Sequence, residues 1–417
     1  MKNCFFAADI LLPDFKDISG SRWAVIACDQ FTSEPEYWEA ADSFVGESPS
    51  TLKLMLPEAR LSLSSELTLI INKTMERYLD SVLVNHKNTM IYVERKQSTG
   101  EIRRGIVGMI DLECYDYQKG STSLVRATEG TVLERIPPRV AVRRDASIEL
   151  PHVMLLIDDP EKSVIEPLAE AQMELAYDFD LMLGGGHIKG QFLTEAQINN
   201  VTEALGALVT PKAIESRYGQ TLDPLLFAVG DGNHSLASAK AHYEEIKEKI
   251  GAQAAKDHPA RYALVEVVNL HDEALNFEPI YRVMFGIDPE DVLRELKKYT
   301  ENLCGDAKEQ KICYIGKGLD GTLTVKTPVQ QLAVGTLQTF IDAYIENHAG
   351  ASVDYIHDEE STHKLADRDD AIGFLFDGMS KSELFKTVML DGALPRKTFS
   401  MGHARDKRYY LEARKIK

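Results

Sequence analysis

Phe227-Ala228-Val229-Gly230-Asp231-Gly232-Asn233-His234-Ser235-Leu236-Ala237 decides how this chain is read. An apolar run over 225–229 breaks at two glycines and an acid, and Leu236, Ala239, Tyr243, Ile246 and Ile250 then recur at helical spacing. The pattern predicts a buried strand, a tight loop and the first turn of a helix. N–H groups in such a first turn have no partner within the helix, and the macrodipole adds positive potential, so the junction suits an anion. Gly230 and Gly232 let a phosphate approach the backbone with no Cβ in the way. Asp231 can hold a divalent metal or accept a proton, and His234 can donate to a phosphoryl oxygen. The plainer alternative is an Asp-Gly turn in which Asp231 or Asn233 only caps the helix. Four special residues packed between two apolar elements favour chemistry.

Outward from that loop, 417 residues are enough to bury a large core in two or three structural units. There is no apolar run of transmembrane length, and the N-terminus reaches Asp9 too early for a secretory leader, so the expectation is a cytoplasmic protein with no membrane partner. With 47 basic against 65 acidic residues the formal charge is −18, which argues against a nucleic-acid platform. The basic segment 403–417 reads as a solvated edge or an anion-binding lip. The 5 cysteines are widely spaced and show no C-x-x-C pair, so they read as reduced thiols. Cys28 stands apart because it ends an apolar stretch over 23–27, although thiol chemistry would require a histidine beside it.

The rest of the chain alternates helical and strand patterns, which makes the class α/β or α+β with mixed sheets. A helix is predicted over 61–84, then a hairpin from 90–94 and 104–110 around Ser98-Thr99-Gly100. A buried strand over 153–157 leads into a predicted helix over 161–177. Gly184-Gly185-Gly186 reads as a hairpin turn, and Thr194-Glu195-Ala196-Gln197 is a capping box for the next helix. A buried strand over 262–268 is expected beside 225–229. Helices are predicted over 289–299, 329–347 and 381–390, and strands over 312–315 and 372–376. The expected division is an N-terminal α/β region (1–150), a central region holding the loop (151–288) and a C-terminal α/β region (289–417).

Four landmarks resemble the family known as domain of unknown function 1015. Its D-G-H-H-R loop is similar to Asp231-Gly232-Asn233-His234-Ser235, and its L-x-I-x-P-T-H-R segment resembles Leu275-Asn276-Phe277-Glu278-Pro279-Ile280-Tyr281-Arg282. A Pro-x-Lys-Ser-Thr segment is matched by Pro395-Arg396-Lys397-Thr398-Phe399, and an acid-and-arginine stretch by Arg126-Ala127-Thr128-Glu129-Gly130 with Arg135 and Arg139. Asn233 and Ser235 depart from the hallmark, and Ser235 removes the arginine that would fork onto a phosphate, so the chain looks like a divergent branch. The loop is also similar to that of the ParB/sulfiredoxin-like fold, which implies a central strand–loop–helix unit that binds nucleotide phosphates. Within that fold the absence of a loop cysteine disfavours sulfiredoxin chemistry and the acidic surface disfavours DNA partitioning, which leaves the free-serine kinase reading.

The resemblance implies a nucleotide-dependent phosphotransferase acting on a small hydroxyl metabolite, serine or phosphoserine, with ATP or ADP and Mg²⁺ as cofactors. Gly230, Gly232, Asn233 and Ser235 would cradle the phosphates, Asp231 would take the metal, His234 the phosphoryl group, and Glu129 would be the base. Arg126, Arg135, Arg282 and Lys397 would be charge clamps, although arginines and lysines taken singly are usually solvated or salt-bridged. Two other readings compete. One is a ParB-like regulatory module that binds a nucleotide or metabolite without turnover, and the other a metal-dependent hydrolase gathering Asp231, His234, Glu129 and His187. The substrate's identity and the oligomeric state are not legible at this level.

Overall fold

The computed structural model describes residues 3–131, 134, 136–402 and 404–417, and shows a mixed α/β chain in two units. One unit comprises residues 1–275 together with 403–417, the other residues 276–402. Strands from both sides of residue 150 share one sheet, with Ile102–Asp111 paired to Tyr262–Asn269, so no unit boundary falls there.

The first unit is organised by a 10-stranded sheet in the order Glu174–Asp180, His187–Phe192, Ile91–Lys96, Ile102–Asp111, Tyr262–Asn269, Met154–Ile157, Phe227–Asp231, Val125–Ala127, Tyr115–Asp116; Phe5–Phe6 joins it on Ile102–Asp111. Successive side chains in a strand point to opposite faces, and two cores follow from that alternation. Ile91, Val93, Val107 and Leu264 face one core with Trp23, Trp38 and Tyr409. Tyr92, Ile106, Val265 and Val267 face the other with Phe227, Val229, Leu205 and Leu236. The helix Glu195–Leu208 opens with the capping box read from Thr194 and Gln197.

Strand direction places the loop. Phe227–Asp231 runs parallel to Val125–Ala127 and antiparallel to Met154–Ile157, with a bulge between Met154 and Leu155. The C-terminal end of Phe227–Asp231 therefore lies beside the residues that lead into Met154. Met154–Ile157 also stands between Phe227–Asp231 and Tyr262–Asn269, pairing in parallel with the latter, so the two strands expected to be neighbours are separated by one.

Two further expectations give way to tertiary packing. The helix predicted over 161–177 is a short 3₁₀ turn, Glu166–Glu170, followed by the strand Glu174–Asp180. That strand pairs with His187–Phe192 and points Tyr177, 2% exposed, into the core, where its hydroxyl meets Glu412. The basic C-terminal segment, expected to be a solvated edge or an anion-binding lip, is in large part packed into the fold. Tyr409 and Tyr410 pair with Ile26 and Val25, and Arg414 pairs with Glu149. Arg408 is 2% exposed and forms ion pairs with Glu266 and Glu412.

The second unit holds an antiparallel five-stranded sheet in the order Leu319–Val325, Gln310–Gly316, Ala371–Leu375, Tyr281–Phe285, Ser352–Ile356. Its helices Pro289–Glu301, Ala333–Asn347 and Lys381–Asp391 fall where their periodicity predicts, and the last stops at Gly392 in the left-handed region at φ 82°. No helix among the described residues is long and apolar enough to cross a membrane.

The helix Asn233–Ile250 turns Leu236, Ala239 and Tyr243 toward the core and packs Ala237 against Val140 of the helix Ile136–Arg144. His242 is 3% exposed on this helix, and its Nδ1 has no partner. Burial first, then the positive charges of Arg143, Arg144 and His258, opposed by Glu245, push it down to about 4. The folded state thus disfavours its proton, so stability is full above the unfolded value near 6.5 and falls as pH drops toward 4. Urea unfolding of His242→Gln should lose about 2 kcal/mol less than wild type between pH 7.5 and 5. Parallel pH profiles for the two proteins would contradict this.

Candidate active site

At the end of Phe227–Asp231 the chain turns through Gly232, which takes φ +81° and acts as N-cap of the helix Asn233–Ile250. Gly232 itself offers the helix no side-chain cap. Asp231 Oδ1 accepts the Gly232 N–H at 2.9 Å, which aims its other oxygen away from the turn. Asn233 is held from the neighbouring strand end, where its Oδ1 accepts the Thr128 N–H at 3.3 Å. The Thr128 hydroxyl in turn donates to the Val229 carbonyl at 2.6 Å, so the two strand ends are locked together. His234 is the second residue of the helix, and its carbonyl accepts Ser238 Oγ at 2.7 Å. Gly230, Asn233, His234 and Ser235 are all half-buried along this edge.

A Cβ on Gly232 would lie 3.0 Å from His152 Cδ2 and 3.1 Å from Val153 Cα. That close approach identifies the loop's neighbour. His152 Nε2 is 3.3 Å from Asp29 Oδ2, and its Nδ1 is 2.7 Å from the Tyr410 hydroxyl, which donates to Cys28 Sγ at 3.2 Å. Lys407 Nζ is 3.3 Å from Asp231 Oδ2. Among the described residues Asp29, His152 and Asp231 each present a metal-ligating atom, and these atoms all lie within 4.8 Å of one another.

Two cations therefore balance two carboxylates. Burial opposes ionisation of Asp29, but His152, a Gln30 hydrogen bond and Lys407 outweigh it and hold its carboxyl well below the usual carboxylate range. Burial likewise opposes a charged His152, yet Tyr410, Asp29 and Cys28 hold the imidazole protonated well above its ordinary value. Burial, with Cys28 beside it, pushes the Tyr410 phenol up. A protonated His152 donates to Asp29 and to Tyr410. The carboxylates of Asp29 and Asp231 are then the hard oxygen donors on hand, which suits Mg²⁺ better than a thiolate-seeking metal.

The structure brings some of the sequence candidates together and disperses others. Asp231, Gly232, Asn233, His234 and Ser235 form the loop, and Glu129 follows Thr128 directly, one residue from the Asn233 contact. Arg126 is 3% exposed, with Nε on the Ser123 carbonyl at 2.7 Å and Nη2 on the Pro224 carbonyl at 3.0 Å. Those carbonyls precede their strands, so the guanidinium is committed at the end of the sheet away from the loop. Arg135 lies outside the described residues. Arg282 is buried in the second unit, where it holds Gln338 Oε1 at 3.0 Å and the Arg396 and Lys397 carbonyls, each at 3.0 Å. Lys397, also in that unit, sits with its ammonium 5.0 Å from the Tyr355 ring. His187 is held by Asp178 and Asp180 on the outer hairpin.

Asp29, His152 and Tyr410 were not named as site residues in the sequence reading, and Lys407 entered it only within the basic segment read as a solvated edge or an anion-binding lip. Ala27-Cys28-Asp29 at the end of an apolar stretch was the one visible signal, and the histidine that Cys28 lacked in sequence is His152, reached through Tyr410. Gly232→Ala should place a non-glycine residue in left-handed backbone, costing about 1–3 kcal/mol, and displace His152. A wild-type melting temperature for that variant would refute the packing described.

The chain belongs to the family described as a protein of unknown function, DUF1015, whose model matches residues 13–370. None of the curated proteins matches it. Among solved structures it is similar to a conserved hypothetical protein from Pyrococcus furiosus, at 12% identity and a TM-score of 0.36, covering 74% of this chain and 94% of that one. A free serine kinase in complex with AMP matches at 12% identity and a TM-score of 0.38, over 74% of this chain and 91% of the kinase. SbnI from Staphylococcus aureus, with a C-terminal truncation, matches at 11% identity and a TM-score of 0.33, over 71% and 82%.

Proposed function

We propose that this protein is a nucleotide-dependent phosphotransferase that phosphorylates a small hydroxyl metabolite, with serine the first candidate and ATP or ADP the donor. The observation that carries this reading is the convergence of the Asp29 and Asp231 carboxylates, with His152 between them and the three side chains' polar atoms within 4.8 Å of one another, on a left-handed glycine at the start of a helix. Phosphoryl transfer asks for positioned charge more than for covalent chemistry. The helix N-terminus and the Gly230 to Ser235 backbone would receive phosphate oxygens, with His234 as a side-chain contact. Asp231 and Asp29 would hold Mg²⁺, which neutralises phosphate charge when bound. Glu129, next to the locked Thr128, would accept the hydroxyl proton.

The test is incubation of the purified protein with ATP or ADP, Mg²⁺ and serine, and of phosphoserine with ADP or AMP for the reverse direction. Nucleotide-dependent formation of a phosphorylated acceptor is expected. Absence of transfer with every nucleotide and acceptor tried would sink the proposal. The same cluster favours one competing reading, a metal-dependent phosphohydrolase. Release of inorganic phosphate at the same rate with and without an acceptor would select it.

A further inference from the structure

A polyphosphate cradle needs a cation, and the loop Gly230 to Ser235 contains neither lysine nor arginine. Arg126 cannot serve, since its guanidinium is committed to backbone carbonyls at the far end of the strands. Among the described residues, a lysine reaches the loop from the C-terminal segment. Lys407 Nζ lies 3.3 Å from Asp231 Oδ2, its side chain retains 20% exposure, and its charge is also felt at Asp29.

We propose that Lys407 is the cation that binds phosphoryl oxygens at the Gly230–Ser235 loop. This rests on the phosphotransferase reading and names the group that completes its site. The position of Lys407 is set by the fold and not by a loose tail. Arg408 beside it is 2% exposed in its ion pairs, the Arg408 carbonyl accepts the Ala27 N–H at 2.9 Å, and Tyr409 and Tyr410 pair with Ile26 and Val25. Those same residues run on to Cys28 and Asp29, so one strand pair delivers both Asp29 and Lys407. An ammonium carries three donors and can keep one on Asp231 while another takes a phosphate oxygen. A divalent cation held by Asp231 would compensate its carboxylate and leave the ammonium free for the phosphate.

Calorimetry with Mg²⁺ and inorganic tripolyphosphate tests this without assuming a substrate. Lys407→Ala should weaken tripolyphosphate binding about tenfold or more, with its melting temperature close to wild type. Lys407→Arg should retain most of the affinity, and Ser235→Arg in the Lys407→Ala background should restore part of it by returning a cation to the loop. Lys417→Ala, an exposed lysine of the same segment, should bind like wild type. Tripolyphosphate affinity unchanged in Lys407→Ala, or no binding to wild type, overturns the assignment. If wild type binds through Lys407 yet transfers no phosphoryl group from any nucleotide, the phosphotransferase reading fails and the cation assignment stands.

Discussion

Arg408→Ala is expected to destabilise the first unit by about 3–5 kcal/mol, the size typical of removing one partner from a buried ion pair. Arg408 bridges Glu266 and Glu412, both 0% exposed, and the Tyr177 hydroxyl also rests on Glu412. Burial raises the carboxyl of Glu266, and Arg408 and then Arg103 outweigh it, holding the group ionised below its usual range. Without Arg408 the nearest remaining cation is Arg103 at 3.7 Å, whose Nη1 is already donated to the Asp406 carbonyl at 2.9 Å. Two carboxylates would then be left in the core with half a partner between them, and each must pick up a proton or draw in water. Urea unfolding at neutral pH reads the loss directly. Adding Glu266→Gln and Glu412→Gln to Arg408→Met should recover much of it, because the damage lies in the orphaned charges more than in the missing attraction. A loss below about 1 kcal/mol for Arg408→Ala would show the network to be solvated.

The network also explains why part of the fold was legible in sequence and part was not. Periodic apolar segments were read correctly wherever local pattern and tertiary environment agree: the hairpin before Asp111, the helix capped by Thr194 and the helix from Asn233. Residues 174–180 failed that test, since their partners are His187–Phe192 and a Glu412 more than two hundred positions away. The segment 403–417 read as a solvated edge or an anion-binding lip, because charge pattern alone does not reveal that Arg408 and Arg414 are buried against Glu149, Glu266 and Glu412. The candidate site divides along the same line. Asp231 and its loop stand on one contiguous strand–loop–helix pattern, and that pattern is legible in the sequence. Asp29, His152 and Lys407 come from three distant segments brought together by tertiary packing.

On the proposed phosphotransferase reading, Asp231→Asn is expected to reduce phosphoryl transfer about a thousandfold, since losing the metal contact proposed for Asp231 would forfeit several kcal/mol of charge stabilisation. The amide keeps the shape, and its oxygen can still accept the Gly232 N–H that Asp231 Oδ1 accepts at 2.9 Å, so the turn should survive. What disappears is the charge that faces Asp29, His152 and Lys407. Two consequences separate this loss from unfolding. The melting temperature should move little, because Asp231 is 22% exposed and its ion pair with Lys407 is in part open to solvent. The Mg²⁺ concentration needed for half-maximal transfer should rise at least about tenfold, since Asp29 alone would remain as a carboxylate ligand. Asn at 231 with more than about a tenth of the wild-type rate at saturating Mg²⁺ would remove Asp231 from the metal site. The carboxylate at the loop would then serve chiefly to hold Lys407 in place.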